Sequence, residues 1–260
     1  MGRARKRHIQ TELDLKRDKN GQRRGRSNKR AGRKPNGPRA GVSHRTRAEL
    51  DRRQPLHVTL RVTDAIGWLR RLDMYAAIRR ALRVVSERRN EFRIVHMSVQ
   101  NTHLHMICEA NNKGALTLGM QSFQISAAKH LNAAYSRRRR LPLRRRGRVF
   151  TDRYHATSLD SPTRVRNALS YVINNWRRHQ VDRDAVYTLD RGRLDPYASG
   201  IFFAGWRRTF LAKPFPLPDG YEPPLVAQPE SWLLRVGWSK ARPIGMFEVP
   251  GPDGHAIADA

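Results

Sequence analysis

Cysteine is almost absent from the sequence, which has one residue of this type, Cys108, in 260. A single thiol cannot form an internal disulfide, and it provides no cysteine cluster for a structural zinc site. Cys108 lies on the apolar face of a predicted strand, a position that favours a small buried side chain over a nucleophile. Any chemistry of this chain must therefore come from other residue types.

Long apolar runs are also missing. No segment approaches the length of a transmembrane helix, and the basic N-terminal residues lack the apolar core of a signal peptide. Only 38% of the residues are apolar, which indicates one modest core rather than two. We therefore expect no membrane partner and a cytoplasmic protein, associated with the nucleoid if it binds DNA.

Acidic residues are scarce in comparison with basic ones: 22 Asp and Glu stand against 52 Lys and Arg, which gives a formal charge of +30. This excess is larger than solubility requires and predicts a polyanionic partner. An anionic membrane surface is one alternative, but no strongly amphipathic basic helix suited to a bilayer interface is evident. A nucleic acid is therefore the better interpretation of the charge.

Composition divides the chain into three segments. Residues 1–53 are dominated by Arg, Lys, Gly and Asn without apolar periodicity, which predicts a disordered basic arm. Residues 54–180 show the apolar periodicity of one folded domain. Residues 181–260 are rich in Pro, Gly and aromatics, and we expect an irregular extension with one short helix at 232–238. This extension is expected to wrap the domain or to contact nucleic acid.

The folded segment is predicted to have the element order βαββαβ, followed by one more helix. The first strand pattern begins at residue 55, and the other three cover 92–100, 103–110 and 149–159. Helical patterns cover 73–90, 114–135 and 162–179. This order is that of a ferredoxin-like α+β fold, an antiparallel sheet with two helices on one face. We expect the functional residues on the other, uncovered face.

Two histidines one residue apart, His103 and His105, begin the third predicted strand. Because side chains alternate along a strand, both imidazoles are expected opposite the face that packs under the helices. There they could occupy adjacent coordination positions of one metal ion. The pattern His-x-His is a weak signal by itself, since polar strand residues exposed to solvent explain it more often.

The last helix of the folded segment adds two further candidates. At about 100° per residue its apolar side chains form one stripe, and Tyr171 lies outside that stripe. Asn175 is one turn further on, where its amide oxygen could be a third metal ligand. Two imidazoles and an amide leave coordination positions open, which suits Mg²⁺ or Mn²⁺ holding a scissile phosphate. Tyr171 could then attack that phosphate, although packing over the sheet is the commoner role of a tyrosine.

These motifs resemble those of the small single-tyrosine HUH transposases, a family that includes the transposases associated with repetitive extragenic palindromes (REP) in bacteria. The resemblance covers roughly residues 55–180. It rests on three motifs in the same order: 103–105 (HLH), 148–155 (RVFTDRYH) and 167–175 (NALSYVINN). There are two departures from many members of the family, Thr102 in place of Asn and Trp176 in place of Pro, which affect neither a ligand nor the nucleophile.

The resemblance assigns a role to each candidate. It implies that His103 and His105 bind a divalent metal, Mg²⁺ or Mn²⁺, and that Asn175 completes the site. It implies that Tyr171 nicks single-stranded DNA through a 5′-phosphotyrosine intermediate, which a 3′-hydroxyl later rejoins. The expected partner is hairpin-forming single-stranded DNA. The sequence leaves open whether the protein is a monomer or a homodimer, and whether Tyr171 acts in its own subunit.

Basic residues near these motifs are expected to bind DNA phosphates, although such runs are more often merely solvated. They are Arg137, Arg138, Arg139, Arg140, Arg144, Arg145, Arg146, Arg148 and Arg153. Two weaker candidates lie on strands. Tyr154 is a second possible nucleophile that more often would pack or stack on a base, and His57 faces the side of the metal pair and could contact the phosphate.

Two alternatives to a transposase stay open. Replication-initiator nickases and relaxases use the same chemistry, but the length of the chain and the order of its motifs favour the transposase. A non-catalytic or domesticated nucleic-acid-binding protein with a ferredoxin-like fold is the alternative from another class. RNA-binding modules of that fold present aromatic side chains on the open strands, whereas this chain presents His103 and His105 there.

Overall fold

The structure of the chain, a computed structural model, describes five stretches: residues 49–88, 91–181, 194–207, 219–246 and 248–250. The predicted basic arm, residues 1–53, lies almost wholly outside these stretches. Within them, no helix combines the length and the apolar character needed to cross a membrane.

Four strands form one antiparallel sheet. They are β1 (Leu56–Arg61), β2 (Phe92–Val99), β3 (His103–Ala110) and β4 (His155–Ser158). Their order across the sheet is β2-β3-β1-β4, and every neighbouring pair is antiparallel. The alternation read from the sequence of β1 is present, because Val58 and Leu60 are buried while His57 and Thr59 lie on the other face. The predicted α+β class with an antiparallel sheet is confirmed.

Two long helices, α1 (Leu72–Arg88) and α2 (Lys113–Arg138), pack on the face of the sheet that carries Val58. Asn112 caps the N-terminus of α2, because its side chain accepts a hydrogen bond from the Ala115 N–H at 2.8 Å. Cys108 is fully buried in this core, and burial raises the pKa of its thiol. The prediction that Cys108 is a buried side chain is confirmed.

A third helix, α3 (Pro162–Val181), packs on the opposite face. Its apolar stripe, which includes Leu169 and Val172, forms a second core with Ile107 of β3. The prediction that this face is free of helices is therefore wrong. An apolar side chain on the second face of β3 needs cover, and α3 provides it. The covered face is the one that carries His103 and His105.

The last predicted strand, 149–159, is interrupted. Only β4 is continuous, while Phe150 forms an isolated bridge with Val62 at the end of β1. Between the two, the Arg153 N–H bonds to the Asp152 side chain at 2.7 Å, a local bond that competes with strand pairing. Four residues lie between Phe150 and His155, whereas only two lie between their partners Val62 and Thr59, so the pairing cannot be continuous and the prediction of one strand across this segment is wrong.

β2 is an edge strand of the sheet, and the described part of the extension covers this edge. Val99 N–H donates to the Tyr197 carbonyl at 2.9 Å, and Ala227 N–H donates to the Ile94 carbonyl at 2.9 Å. The predicted short helix is shorter than expected: α4 (Trp232–Arg235) is followed by a 3-10 helix, Gly237–Lys240. These contacts make the described residues of the extension part of the packed structure.

His96 on β2 makes the fold sensitive to acid. Its Nδ1 lies 3.1 Å from the Ser199 hydroxyl, which accepts from the Met97 N–H and can therefore donate to a neutral imidazole. Burial lowers the pKa of His96 to about 4, from 6.5. The folded chain thus binds fewer protons than the unfolded chain between these values, so its stability should be intact above pH 6.5 and fall as the pH drops towards 4.

Between pH 6.5 and 4, unfolding of the wild-type chain should take up about one proton at His96, and His96→Gln should abolish this uptake. The free energy of unfolding of the variant should therefore depend less steeply on pH in that window. Urea unfolding at a series of pH values measures this slope, with the wild-type chain as reference. An equal slope for the variant and the wild type between pH 6.5 and 4 would show that His96 is not the group responsible.

Candidate active site

The two histidines predicted as a pair share one face of the sheet near the start of β3. In the register of β3 with β1, His103 lies opposite Arg61 and His105 opposite Thr59. The two imidazole rings are perpendicular, with centroids 4.7 Å apart. His105 is buried, and the His103 Nδ1 lies 3.3 Å from the Thr102 hydroxyl. Strand alternation alone therefore predicted this juxtaposition.

Tyr171 lies directly beside this pair. The apolar stripe of α3 faces the sheet, and Tyr171 is half-buried next to that stripe. Its ring centroid is 5.0 Å from that of His105 and 5.7 Å from that of His57, with the rings edge to face in both contacts. The structure thus brings the predicted nucleophile and the predicted metal pair together within one chain.

Asn175, one turn after Tyr171, is 1% exposed. Neither its amide oxygen nor its amide nitrogen has a hydrogen-bond partner among the described residues. A buried amide without partners is costly, so this position indicates a ligand that the protein itself does not provide. Together with two imidazole nitrogens, an amide oxygen is a donor set that fits a divalent ion with open coordination positions.

The described residues contain no group of three or more His, Cys, Asp and Glu side chains arranged to hold a metal. A closed site made of such ligands is therefore not found in the described ranges. The set of His103, His105 and Asn175 differs from such a site because its third donor is an amide. That difference suits an ion that shares its coordination sphere with a substrate.

Two residues of β1 hold His105 in place. Thr59 Oγ1 and His57 Nε2 each lie 3.2 Å from the His105 Nδ1. Burial, followed by the charge of His155, lowers the pKa of His57 to about 4. His57 is therefore neutral at neutral pH, and its Nε2 can accept a hydrogen bond from the His105 Nδ1–H. When Nδ1 of His105 carries the proton, Nε2 is the nitrogen that can bind a metal.

The sequence placed His57 on the correct face but did not predict its contact with His105. It gave no role to Thr59, although the alternation of β1 that places His57 also places Thr59 on the same face. The pairing of the two strands was the missing information, because the register aligns Thr59 with His105.

The second candidate nucleophile, Tyr154, is buried in the core between the sheet and the α1 and α2 helices. The His pair and Tyr171 lie on the other side of the sheet. This location agrees with the packing role that the sequence favoured for Tyr154.

The basic cluster around the end of α2 divides into two groups. Some of its guanidinium groups bond within the protein: Arg145 donates to the Arg148 carbonyl at 3.2 Å and lies over the Tyr135 ring, and Arg138 is 3.9 Å from Asp73. The second group is exposed to solvent and consists of Arg137, Arg139, Arg140, Arg144, Arg146, Arg148 and Arg153. In this group Arg144 also donates to the Lys129 carbonyl, and Arg148 donates to the Phe150 carbonyl at 2.7 Å. Their predicted contacts with DNA phosphates stay a prediction, whereas Arg145 also has a clear role in packing the loop.

A family model described as IS200-like transposase matches residues 56–175, a range that starts at β1 and includes the His pair, Tyr171 and Asn175. Residues 56–175 belong to the IS200-like transposase family. This is a family of DNA-cleaving enzymes. The resemblance inferred from the sequence motifs is thereby confirmed, and the C-terminal extension lies outside the matched transposase domain.

Solved structures resemble the chain more distantly. A REP-associated tyrosine transposase bound to a REP hairpin matches with 15% identity and a TM-score of 0.36, over 53% of this chain and 74% of the other. A bacterial tRNA(His) guanylyltransferase (Thg1)-like protein in complex with GTP matches with 15% identity and a TM-score of 0.32, over 52% and 64% of the two chains. No curated protein matches the sequence.

Proposed function

We propose that this IS200-like transposase nicks and rejoins single-stranded DNA, with Tyr171 as the nucleophile. His103, His105 and Asn175 are proposed to hold Mg²⁺ or Mn²⁺. The observation that carries the proposal is the contact of the Tyr171 ring with His105, whose orientation is fixed from β1. A phenol and two imidazoles lie together in a domain of a DNA-cleaving family, and a buried amide without partners among the described residues lies one helical turn after the phenol.

The proposed step exchanges one phosphate ester for another. The Tyr171 oxygen forms a bond to the phosphorus while the bond from phosphorus to the 3′ oxygen breaks. The phenolic proton is lost to solvent and the leaving 3′ oxygen takes up a proton, so the products are a free 3′-hydroxyl and a 5′-phosphotyrosyl link. When bound, a divalent ion polarises the phosphate and offsets the charge that develops on it.

The residues of the chain have distinct parts in this step. Thr59 and His57 fix the ring of His105, and the apolar stripe of α3 fixes the helix against the sheet. Because α3 buries the site on one side, the phosphate meets Tyr171 in a partly dehydrated setting, where charge interactions are stronger than in water. The reverse reaction by another 3′-hydroxyl rejoins strands without an external energy source.

The test is an assay for a covalent protein–DNA adduct that also determines which end of the cleaved strand stays on the protein. The full chain is incubated with Mn²⁺ or Mg²⁺ and a pool of hairpin oligonucleotides that carry random single-stranded flanks. A 3′ label should remain on the protein after denaturation, whereas a 5′ label should be released on a shorter strand with a 3′-hydroxyl. Oligonucleotide binding without an adduct under any of these conditions would instead favour the non-catalytic binder.

Trp68 is proposed as a stacking platform for an unpaired base. It is 61% exposed and follows Gly67, where a φ of 74° turns the chain. The next residue, Leu69, is buried, and its N–H donates at 2.9 Å to the carbonyl of Asn101 in the turn that leads to His103. An exposed aromatic ring that is followed in the sequence by Arg70 and Arg71 suits single-stranded nucleic acid, whose bases stack without sequence preference.

We expect Trp68→Ala to weaken the affinity for single-stranded DNA by about tenfold or more, since a stacked base contributes ~1–3 kcal/mol. Fluorescence anisotropy with a labelled oligonucleotide measures this change. Trp232→Ala is a matched control, because Trp232 is also largely exposed, at 52%, and lies in the extension. Unchanged affinity in Trp68→Ala would exclude a stacking role of Trp68, and an equal loss in both variants would show that the effect is not confined to Trp68.

Other sequence-based expectations stay part of this proposal. They are a ferredoxin-like classification, supported by the strand order, a hairpin-forming DNA partner, and a cytoplasmic location at the nucleoid. The contact of Tyr171 with His105 of the same chain supports catalysis within one subunit rather than exchange between the subunits of a homodimer.

A further inference from the structure

One side of α3 carries three buried polar residues spaced four apart: Arg166, Ser170 and Asn174. Their exposed fractions are 1%, 1% and 0%. Side chains four residues apart lie one above another on a helix, so the three form a single stripe along α3. Burial of polar groups is costly unless they are hydrogen-bonded. The partners of this stripe therefore show what α3 is built to bind.

All three side chains bond to one part of the extension, residues 242–246 and 248, called here the C-terminal anchor. The guanidinium of Arg166 donates to two backbone carbonyls of the anchor, at 3.1 and 2.7 Å. It also donates to both carboxylate oxygens of Glu248, one of them at 2.5 Å. This bidentate pair fixes both the position and the orientation of the two groups.

The other two members of the stripe bond to the same anchor. The Ser170 hydroxyl donates to Glu248 Oε1 at 2.8 Å, and the Asn174 amide donates to the Gly245 carbonyl at 3.1 Å. Three successive turns of α3 are thus held by one short piece of chain. The anchor lies outside the range of 56–175 that matches the transposase family.

The stripe immediately precedes the proposed catalytic residues. Tyr171 follows Ser170 and Asn175 follows Asn174, so each lies about 100° around the helix from a residue of the stripe. The apolar contacts of α3 with the sheet are not directional, whereas hydrogen bonds are. The anchor is therefore placed to restrain the rotation of α3 about its axis, and this rotation affects whether Tyr171 faces the His pair.

The chemistry of the anchor favours positioning over simple stabilisation. Burial opposes the charge of Glu248, but hydrogen bonds from Arg166 and Ser170, together with the charges of Arg166 and Arg242, hold the pKa of its carboxyl below the usual value. A buried ion pair commonly gives little more stability than apolar side chains of the same size would, although it specifies geometry. Apolar packing alone would suffice to attach the extension to α3.

We propose that the C-terminal anchor is a positioning element of the active site, which sets the rotation of α3 so that Tyr171 and Asn175 face His103 and His105. Glu248 is the central positioning residue, since it binds Arg166 and Ser170 together. This inference rests on the proposed function, because positioning is measured through the reaction of Tyr171.

The test compares the rate of adduct formation with DNA affinity in Ser170→Ala and Asn174→Ala. Each variant removes one hydrogen bond and leaves the pair of Arg166 with Glu248 intact. We expect the single-turnover rate at saturating oligonucleotide to fall about tenfold or more, because small displacements of a reacting group have large kinetic effects. The dissociation constant for the oligonucleotide should change less than twofold.

Glu248→Gln tests the centre of the anchor, and the rate should fall further than in either alanine variant. In a Glu248→Ala background, which removes the acceptor of the Ser170 hydroxyl, Ser170→Ala should have little additional effect, because Ser170 acts through Glu248. Ser239→Ala is the matched control, since its hydroxyl bonds to the Val236 carbonyl within the extension rather than to a residue of α3. Thermal unfolding of each variant confirms that it is folded at the assay temperature.

The outcomes separate this inference from the proposed function. A normal rate in both Ser170→Ala and Asn174→Ala would overturn the inference, and so would a rate that falls only in parallel with DNA affinity. If the wild-type chain forms no adduct, or if the adduct persists in Tyr171→Phe, the proposed function itself fails and the inference falls with it.

Discussion

Tyr171→Phe should abolish the covalent adduct with single-stranded DNA. Phenylalanine keeps the ring that contacts His105 and His57 but lacks the oxygen that would bond to phosphorus. We expect a loss of at least about 10³-fold in adduct formation, since no other group offers the same attack. Quantification of the 3′-labelled adduct on a denaturing gel measures this loss.

Tyr154→Phe is the matched control for this substitution. Tyr154 is buried in the core under α1 and α2, so the variant should keep most of the adduct yield. The affinity of Tyr171→Phe for the oligonucleotide should equal that of the wild-type chain, because the aromatic surface is retained. An adduct that persists in Tyr171→Phe and disappears in Tyr154→Phe would reverse the assignment of the nucleophile.

Removal of a proposed metal ligand, in His105→Ala or Asn175→Leu, should prevent divalent-ion binding and lower adduct formation by about 10²- to 10⁴-fold. The His105 ring and the buried amide of Asn175 are two of the three proposed donors, and an ion held by only the two donors left in either variant would bind weakly. Mn²⁺ binding followed by electron paramagnetic resonance, without DNA, gives a readout that does not depend on activity.

Asn175→Leu also separates metal binding from folding. Both amide atoms of Asn175 are buried without a partner among the described residues, so an apolar side chain of similar size should stabilise the metal-free chain. We expect the free energy of unfolding in EDTA to rise by ~1–3 kcal/mol while Mn²⁺ affinity falls. A variant that is less stable in EDTA and binds Mn²⁺ normally would show that Asn175 is a structural residue.

Strand alternation and helical periodicity in the sequence predicted which face of each strand or helix a side chain occupies. Alternation placed Val58 and Leu60 on one face of β1 and the His pair on the far face of β3, because side chains on a strand alternate whatever the strand packs against. Helical periodicity separated Tyr171 from the buried stripe of α3 in the same way. The candidate site is thus largely a consequence of two periodicities.

Long-range contacts could not be predicted in this way. The bonds from Arg166 and Ser170 to Glu248 join residues about eighty positions apart, and no periodic pattern marks Glu248. The cover that α3 provides to Ile107 was missed because a ferredoxin-like sheet leaves that face open. The interruption before β4 depends on the register with β1, because four residues between Phe150 and His155 face only two between Val62 and Thr59, and alternation within one segment does not reveal its register.

The central claim is that Tyr171 carries the DNA, and mass spectrometry of the trapped adduct tests it most directly. The adduct formed by the wild-type chain is digested with nuclease and protease, and the residue that retains a nucleotide is identified by fragmentation. We predict a single modified site, Tyr171, joined to a 5′-phosphate. A nucleotide on Tyr154 or on any other residue, with Tyr171 unmodified, would contradict this assignment.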